Sequence, residues 1–163
     1  MVYDKPDMDF RNLKAAESQA DADAKVGRDV NADTPDLSAF KAAGGKLIQY
    51  HGWNDSAIPP GASIKYYTDV KGALGGAENV RTFYRLFMAP GMEHCGMGPG
   101  ANAIGGVFGL PAPTRDADHD VVSALARWVE EGVAPETLSA TLYRDNVPSK
   151  GIVSERKWRA LYR

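Results

Sequence analysis

Two segments carry residue types that could do chemistry together. Asp55 stands in His51-Gly52-Trp53-Asn54-Asp55, and His94 in Ala89-Pro90-Gly91-Met92-Glu93-His94. A carboxylate that fixes the tautomer of an imidazole, and stabilises the ring once protonated, makes that histidine a general base able to take a proton from a nucleophile. Asp55 lies four residues past the apolar stretch 46–51, and His94 six past Met88. In an open parallel sheet, reactive groups gather at the carboxyl ends of strands, so both positions suit such a role. Pattern alone also allows plainer readings. An Asp in Asn54-Asp55-Ser56 more often forms a turn than reacts, and His94 divides evenly between the two readings, since a Gly-flanked loop at a strand end is a poor place for a core histidine.

Other reactive types carry less. His51, inside or just after a strand, reads as packed. His119 lies among Asp116, Asp118 and Asp120 like a metal cluster, but acidic residues also favour the first turn of a helix. Gly96-Met97-Gly98-Pro99-Gly100 lacks the Lys-Ser/Thr that a phosphate loop needs. Cys95, the single cysteine, excludes an intrachain disulfide and a multi-cysteine metal site. As the neighbour of His94 it is badly placed for attack and reads as an orphan or buried thiol. A serine nucleophile in this kind of chemistry sits on a sharp turn of the form G-x-S-x-G, and in α/β-hydrolases it precedes the acid and then the histidine. Asp55 before His94 fits that order. None of Ser18, Ser38, Ser56, Ser63, Ser123, Ser139, Ser149 or Ser154 has the required neighbours. The chain by itself is therefore expected to be a poor catalyst.

The elements that must position the pair follow from periodicity and breakers. Residues 1–34 are polar and acidic with a faint stripe of Leu13, Ala16, Ala20 and Ala24, read as a surface helix. Residues 36–43 follow Thr34-Pro35 and stop at Gly44-Gly45, marking a short helix. Residues 46–51 read as a strand, 63–74 as a helix bearing Ile64, Tyr67, Val70 and Leu74, and 80–88 as a strand apolar on both faces. This strand, helix, strand unit should cross over right-handed and bring the two loops to one edge of the sheet. The stretch 89–114 is a long Gly- and Pro-rich loop of the functional kind. Val121, Val122, Leu125, Trp128 and Val129 form a helical face ending at Gly132, residues 139–143 a last short strand, and 144–163 a basic, poorly patterned tail. The whole reads as one α/β domain over residues 1–163.

Composition bounds the partners. The 163 residues are 44% hydrophobic and 25% charged, with a formal net charge of -2 and a pI near 5.9, so neither nucleic acid nor an anionic membrane is favoured. Apolar runs fall far short of the roughly 20 residues that span a bilayer, and no secretory signal is visible at the start.

Several segments together resemble the C-terminal region of the tannase and feruloyl esterase family: Pro35-Asp36-Leu37-Ser38-Ala39-Phe40, Tyr50-His51-Gly52-Trp53-Asn54-Asp55, Ile58-Pro59-Pro60, Tyr84 through Cys95, and Trp128 through Pro135. The resemblance covers roughly residues 30–143. It implies a partial α/β-hydrolase fold, the C-terminal portion of a three-layer sandwich of parallel strands and flanking helices. It implies a carboxylic ester hydrolase acting on gallate or hydroxycinnamate esters, with Asp55 as triad acid and His94 as triad base. By the same resemblance, Cys95 corresponds to a cysteine that the family bonds to another beside its serine. The serine lies far upstream, and the family's calcium site belongs to a lid domain outside this stretch, so no cofactor or metal is expected here. The family's Arg-Pro-Leu-Cys type segment is replaced by Gly151-Ile152-Val153-Ser154. Family members are mostly secreted or periplasmic. The expected partner is a small aromatic ester. The open edge of the strand 46–51 also invites strand addition, by a homodimer or a complementing N-terminal chain that supplies the serine. The rival reading is a non-catalytic remnant or interaction module of the same fold.

Overall fold

The computed structural model describes residues 2–106 and 109–161. By its contacts the chain divides into two compact units, Met1–Thr34 and Pro35–Arg163, where composition reads as one.

The first unit is not one continuous helix. A 3-10 turn at Phe10–Asn12, capped by Asp9, precedes α1 (Ala15–Ala22), a π-type segment (Asp23–Gly27) and α2 (Arg28–Val30). Its apolar stripe is mostly alanine, and Gly27, a poor helix former, sits at the junction. Of the described residues here, Gly27 alone is buried.

In the second unit, α3 (Ser38–Ala42) starts where the Asp36 carboxylate accepts the Ser38 amide at 2.9 Å, and ends at Gly44 in the left-handed conformation. β1 (Leu47–Gly52) then leads to α4 (Pro60–Ala73). The helix begins three residues before the expected Ser63, because Pro60 fits its first turn, where no amide partner is needed. The expected strand 80–88 loses its beginning to a helical turn, α5 (Ala77–Val80), which restarts the chain after Gly75 and Gly76, both at positive φ. β2 is Tyr84–Ala89 and pairs with β1 in parallel, from Leu47 opposite Tyr84 to Gly52 opposite Ala89.

This strand pair is covered on both faces. Leu47, Tyr84, Leu86 and Met88 pack with Tyr67, Val70 and Val80 on the α4 side. Ile48, Tyr50, Phe87 and Ala89 pack on the other side with Val121, Ala124, Leu138 and Trp158. The period of two thus also places Gln49 and His51 on the α4 side, beneath the helix. α6 (Val121–Glu131) is capped by Asp120, whose side chain accepts the Ser123 amide, and stops at left-handed Gly132. It buries Val121, Ala124 and Trp128, whereas Val122 and Val129, read as part of the same face, are exposed.

The tail corrects the sequence reading most. β3 (Thr137–Tyr143) starts two residues before the expected strand, and residues 152–159 form β4 (Ile152–Arg159), antiparallel to it. β4 exposes Ile152 and Val153 and buries Trp158, so it shows no alternation, and its order comes from pairing with β3. Beyond it, the Leu161 amide donates to the Leu86 carbonyl at 2.7 Å, occupying the outer edge of β2. Among the described strands none pairs with the outer edge of β1. No helix among the described residues is long and apolar enough to cross a membrane.

Candidate active site

Asp55 and His94 meet at the carboxyl ends of β1 and β2. The two ends are laced together: the Trp53 amide donates to the Ala89 carbonyl at 3.0 Å and the Asn54 amide to the Met92 carbonyl at 2.9 Å. Gly52 makes this approach possible. A Cβ at that position would lie 2.2 Å from the Met92 oxygen and 2.4 Å from that of Glu93. The loop then turns through Cys95 (φ 61°) and Met97 (φ 62°), left-handed positions that side chains disfavour and that recur where a loop must present a reactive group.

His94 Nδ1 lies 2.9 Å from Asp55 Oδ2. The Asp55 side chain is 4% exposed and that of His94 55%. The carboxylate is held from every side. Its Oδ1 accepts the amides of Ala57 at 2.8 Å and Ile58 at 2.9 Å, while Oδ2 also faces His51 Nε2 at 3.1 Å. The Ile58 amide foremost, then His94 and the Ala57 amide, outweigh the cost of desolvation and hold the Asp55 acidity at about 2. One oxygen of Asp55 thus makes the turn, and the other faces the two histidines.

A crevice of about 220 Å³ opens beside the pair, lined by Tyr50, Ile58, Ser63 and Cys95 as well as Asp55 and His94. Cys95 is a free, partly exposed thiol. Ser63 is buried, and its hydroxyl lies 2.7 Å from His51 Nδ1 and 2.8 Å from Gln49 Nε2. These contacts tie it to His51 rather than to His94. Neutral His94 with its proton on Nδ1 leaves Nε2 free to accept one from a nucleophile, the arrangement that general-base catalysis requires.

His51 is packed, as read, but it also belongs to the site, which sequence reasoning missed. The signal was present: Gln49 and His51 share one face of an otherwise apolar strand, and His51 precedes Asp55 by four residues. The first turn of α6 holds no acidic residue: Asp120 caps the helix, and Asp116 and Asp118 lie in the turn that precedes it. Asp116 accepts the amides of Asp118 and His119 and faces His119 Nδ1 at 2.8 Å. Among the described residues, no three His, Cys, Asp or Glu side chains are grouped to hold a metal.

The sequence profile described as "Tannase and feruloyl esterase" matches residues 2–158. An uncharacterized esterase of Xanthomonas campestris pv. campestris is 37% identical, the alignment covering 94% of this chain and 29% of that protein. Feruloyl esterase C of Talaromyces stipitatus is 41% identical over 83% of this chain and 26% of its own length. The crystal structure of an esterase from Aspergillus oryzae superimposes with a TM-score of 0.89 at 30% identity, covering 98% of this chain and 31% of that one. The chain thus spans under a third of the length of these relatives.

Proposed function

The chain belongs to the tannase and feruloyl esterase family, and on that premise we propose that it is the acid-and-base portion of a serine-type carboxylic ester hydrolase. The observation that carries the reading is the 2.9 Å contact between His94 Nδ1 and a nearly buried Asp55 carboxylate at the ends of two parallel strands. Asp55 orients the ring and stabilises its protonated form. His94 takes the proton of a serine hydroxyl as that oxygen attacks the ester carbonyl, and returns it to the departing alkoxide. The substrates are gallate or hydroxycinnamate esters, the aromatic acid lying against the apolar crevice wall.

The serine and its oxyanion hole come from protein outside these residues. The outer edge of β1 is where that protein would join the sheet. Leu47 donates its amide to Phe83, on the β2 side. Alternation then turns the amides of Ile48 and Tyr50 toward the open edge, ready to pair with another strand.

The test is a graft. The part of this chain that aligns with Talaromyces stipitatus feruloyl esterase C replaces the matching segment of that protein, and hydrolysis of methyl ferulate and methyl gallate is measured for the chimera, its His94→Ala variant and the isolated chain. The expected result is turnover by the chimera alone. A folded but inactive chimera would sink the reading in favour of a non-catalytic remnant, and equal turnover by the His94→Ala chimera would remove His94 from the mechanism.

A further inference from the structure

Beneath α4 a line of polar side chains runs through an otherwise apolar helix–sheet interface. The Tyr84 hydroxyl contacts Gln49 Oε1, and Gln49 Nε2 lies 2.8 Å from Ser63 Oγ. Ser63 Oγ in turn lies 2.7 Å from His51 Nδ1. The other ring nitrogen, His51 Nε2, sits 3.1 Å from both Asp55 Oδ2 and the Ile58 carbonyl oxygen. The line ends on the oxygen that also meets His94 Nδ1. Tyr84, Ser63 and the carboxyl group of Asp55 are all shielded from solvent, so each group needs its partner within the protein.

We propose that His51 is a positioning residue, held as a neutral imidazole with its proton on Nε2, which fixes Asp55 Oδ2 toward His94. This deepens the reading given above and rests on Asp55 being the carboxylate that orients His94. The donor–acceptor arithmetic supports it. A carboxylate and a carbonyl oxygen can only accept, so Nε2 must carry the proton. In a neutral ring Nδ1 is then an acceptor, and the Ser63 hydroxyl donates to it. Ser63 Oγ is left to accept from Gln49 Nε2, which turns Gln49 Oε1 toward Tyr84, whose hydroxyl donates. Every link is satisfied in one direction. Burial pushes the Tyr84 hydroxyl well above its ordinary value, so it keeps the proton it donates.

The neutral state matters for the chemistry. A charged His51 would share the negative charge of Asp55 with His94. A neutral donor holds Oδ2 in place and leaves that charge to stabilise the protonated His94 ring. A carboxylate free to rotate about its two amide contacts would present a less constant partner to His94.

The experiment reads the ring states of His51 and His94 by long-range proton–nitrogen NMR at neutral pH, on the chain itself and on His51→Gln and His51→Leu. In the unsubstituted chain His51 is expected to be neutral with Nε2 protonated, and the neutral fraction of His94 to carry its proton on Nδ1. Gln retains a donor near the position of Nε2 and should preserve that His94 state; Leu has none and should lose it. A doubly protonated or Nδ1-protonated His51 would overturn the proposal, as would a Leu variant with an unchanged His94. If the Leu variant does not fold, the His51 state in the unsubstituted chain still decides. In the graft, His51→Leu should lower kcat about tenfold at constant KM, with Gln restoring it. The ring states are read without hydrolysis, so an inactive graft beside the expected ring states would fault the esterase reading and leave this one standing.

Discussion

Two aspartates in this chain build nearly the same local motif and end in different places. Asp55 and Asp116 each accept the amides two and three residues onward, and each faces a histidine Nδ1 at 2.9 and 2.8 Å. At Asp116 the histidine is only three residues away, and the carboxylate is 49% exposed. At Asp55 it comes from 39 residues away, across two helices and a strand, and the carboxylate is 4% exposed. The lesson is that an Asp–His contact becomes a candidate site when the fold, rather than the turn, brings the histidine. A local pair organises a turn. A distant pair, roofed by a loop and opening on a crevice, has a geometry that a turn alone does not require.

The comparison breaks most sharply on activity. In the graft, Asp55→Asn should lower kcat by about 10⁴-fold, because the histidine loses both its tautomer and the charge that stabilises its protonated form. Asp116→Asn should stay within about twofold, as expected of a surface turn. Equal losses would erase the distinction drawn between them. Next in size is Gly52→Ala. Its methyl group meets two backbone oxygens that cannot swing away, so urea denaturation of the isolated chain should show a loss of roughly 1–3 kcal/mol. An unchanged midpoint would mean that the His94 loop does not need its close approach to β1. Asp120→Ala removes the cap of α6 and should cost about 1 kcal/mol in the same assay, with the Asp55–His94 contact undisturbed.

The smallest effect is a matter of acidity, and here the two aspartates should behave alike. Hydrogen bonds lower both from the ordinary aspartate value, Asp55 to about 2. A carboxylate more acidic in the folded chain than in the unfolded one, where it titrates at about 3.9, favours folding above that pH. The contribution fades as the pH falls toward 2 and the folded form protonates. Carboxyl carbon NMR at pH 3 should therefore find both side chains ionised. His94→Ala should raise the Asp55 value only in part, since the Ile58 amide is the leading cause of its acidity. A protonated Asp55 at pH 3 would contradict the four-contact description of that carboxylate.

What the sequence made legible follows the same division between local and distant. The strand, helix, strand unit could be read because each element carries its own pattern and breakers: the Pro59-Pro60 pair, the Gly75-Gly76 pair, and the run ending in Phe87-Met88 that is apolar on both faces. The positions of Asp55 and His94 at neighbouring strand ends followed from that topology. β4 was hidden because the chain gives it almost no apolar face, and Trp158 alone marks its inward side. The break in residues 1–34 was hidden because alanines support a helix without dictating its course. His51 is packed, but a half-buried histidine between a hydroxyl and a carboxylate is packed by polar contacts. The alternation that put Gln49 and His51 together on one face of β1 was the available clue.

The most direct test of the account is the ring state of His94 in the isolated chain, with and without Asp55→Asn. The neutral ring should carry its proton on Nδ1, toward the carboxylate, and Asp55→Asn should abolish this preference. A neutral His94 protonated on Nε2 in the unsubstituted chain would contradict it, because the nitrogen needed to accept a nucleophile's proton would already be occupied.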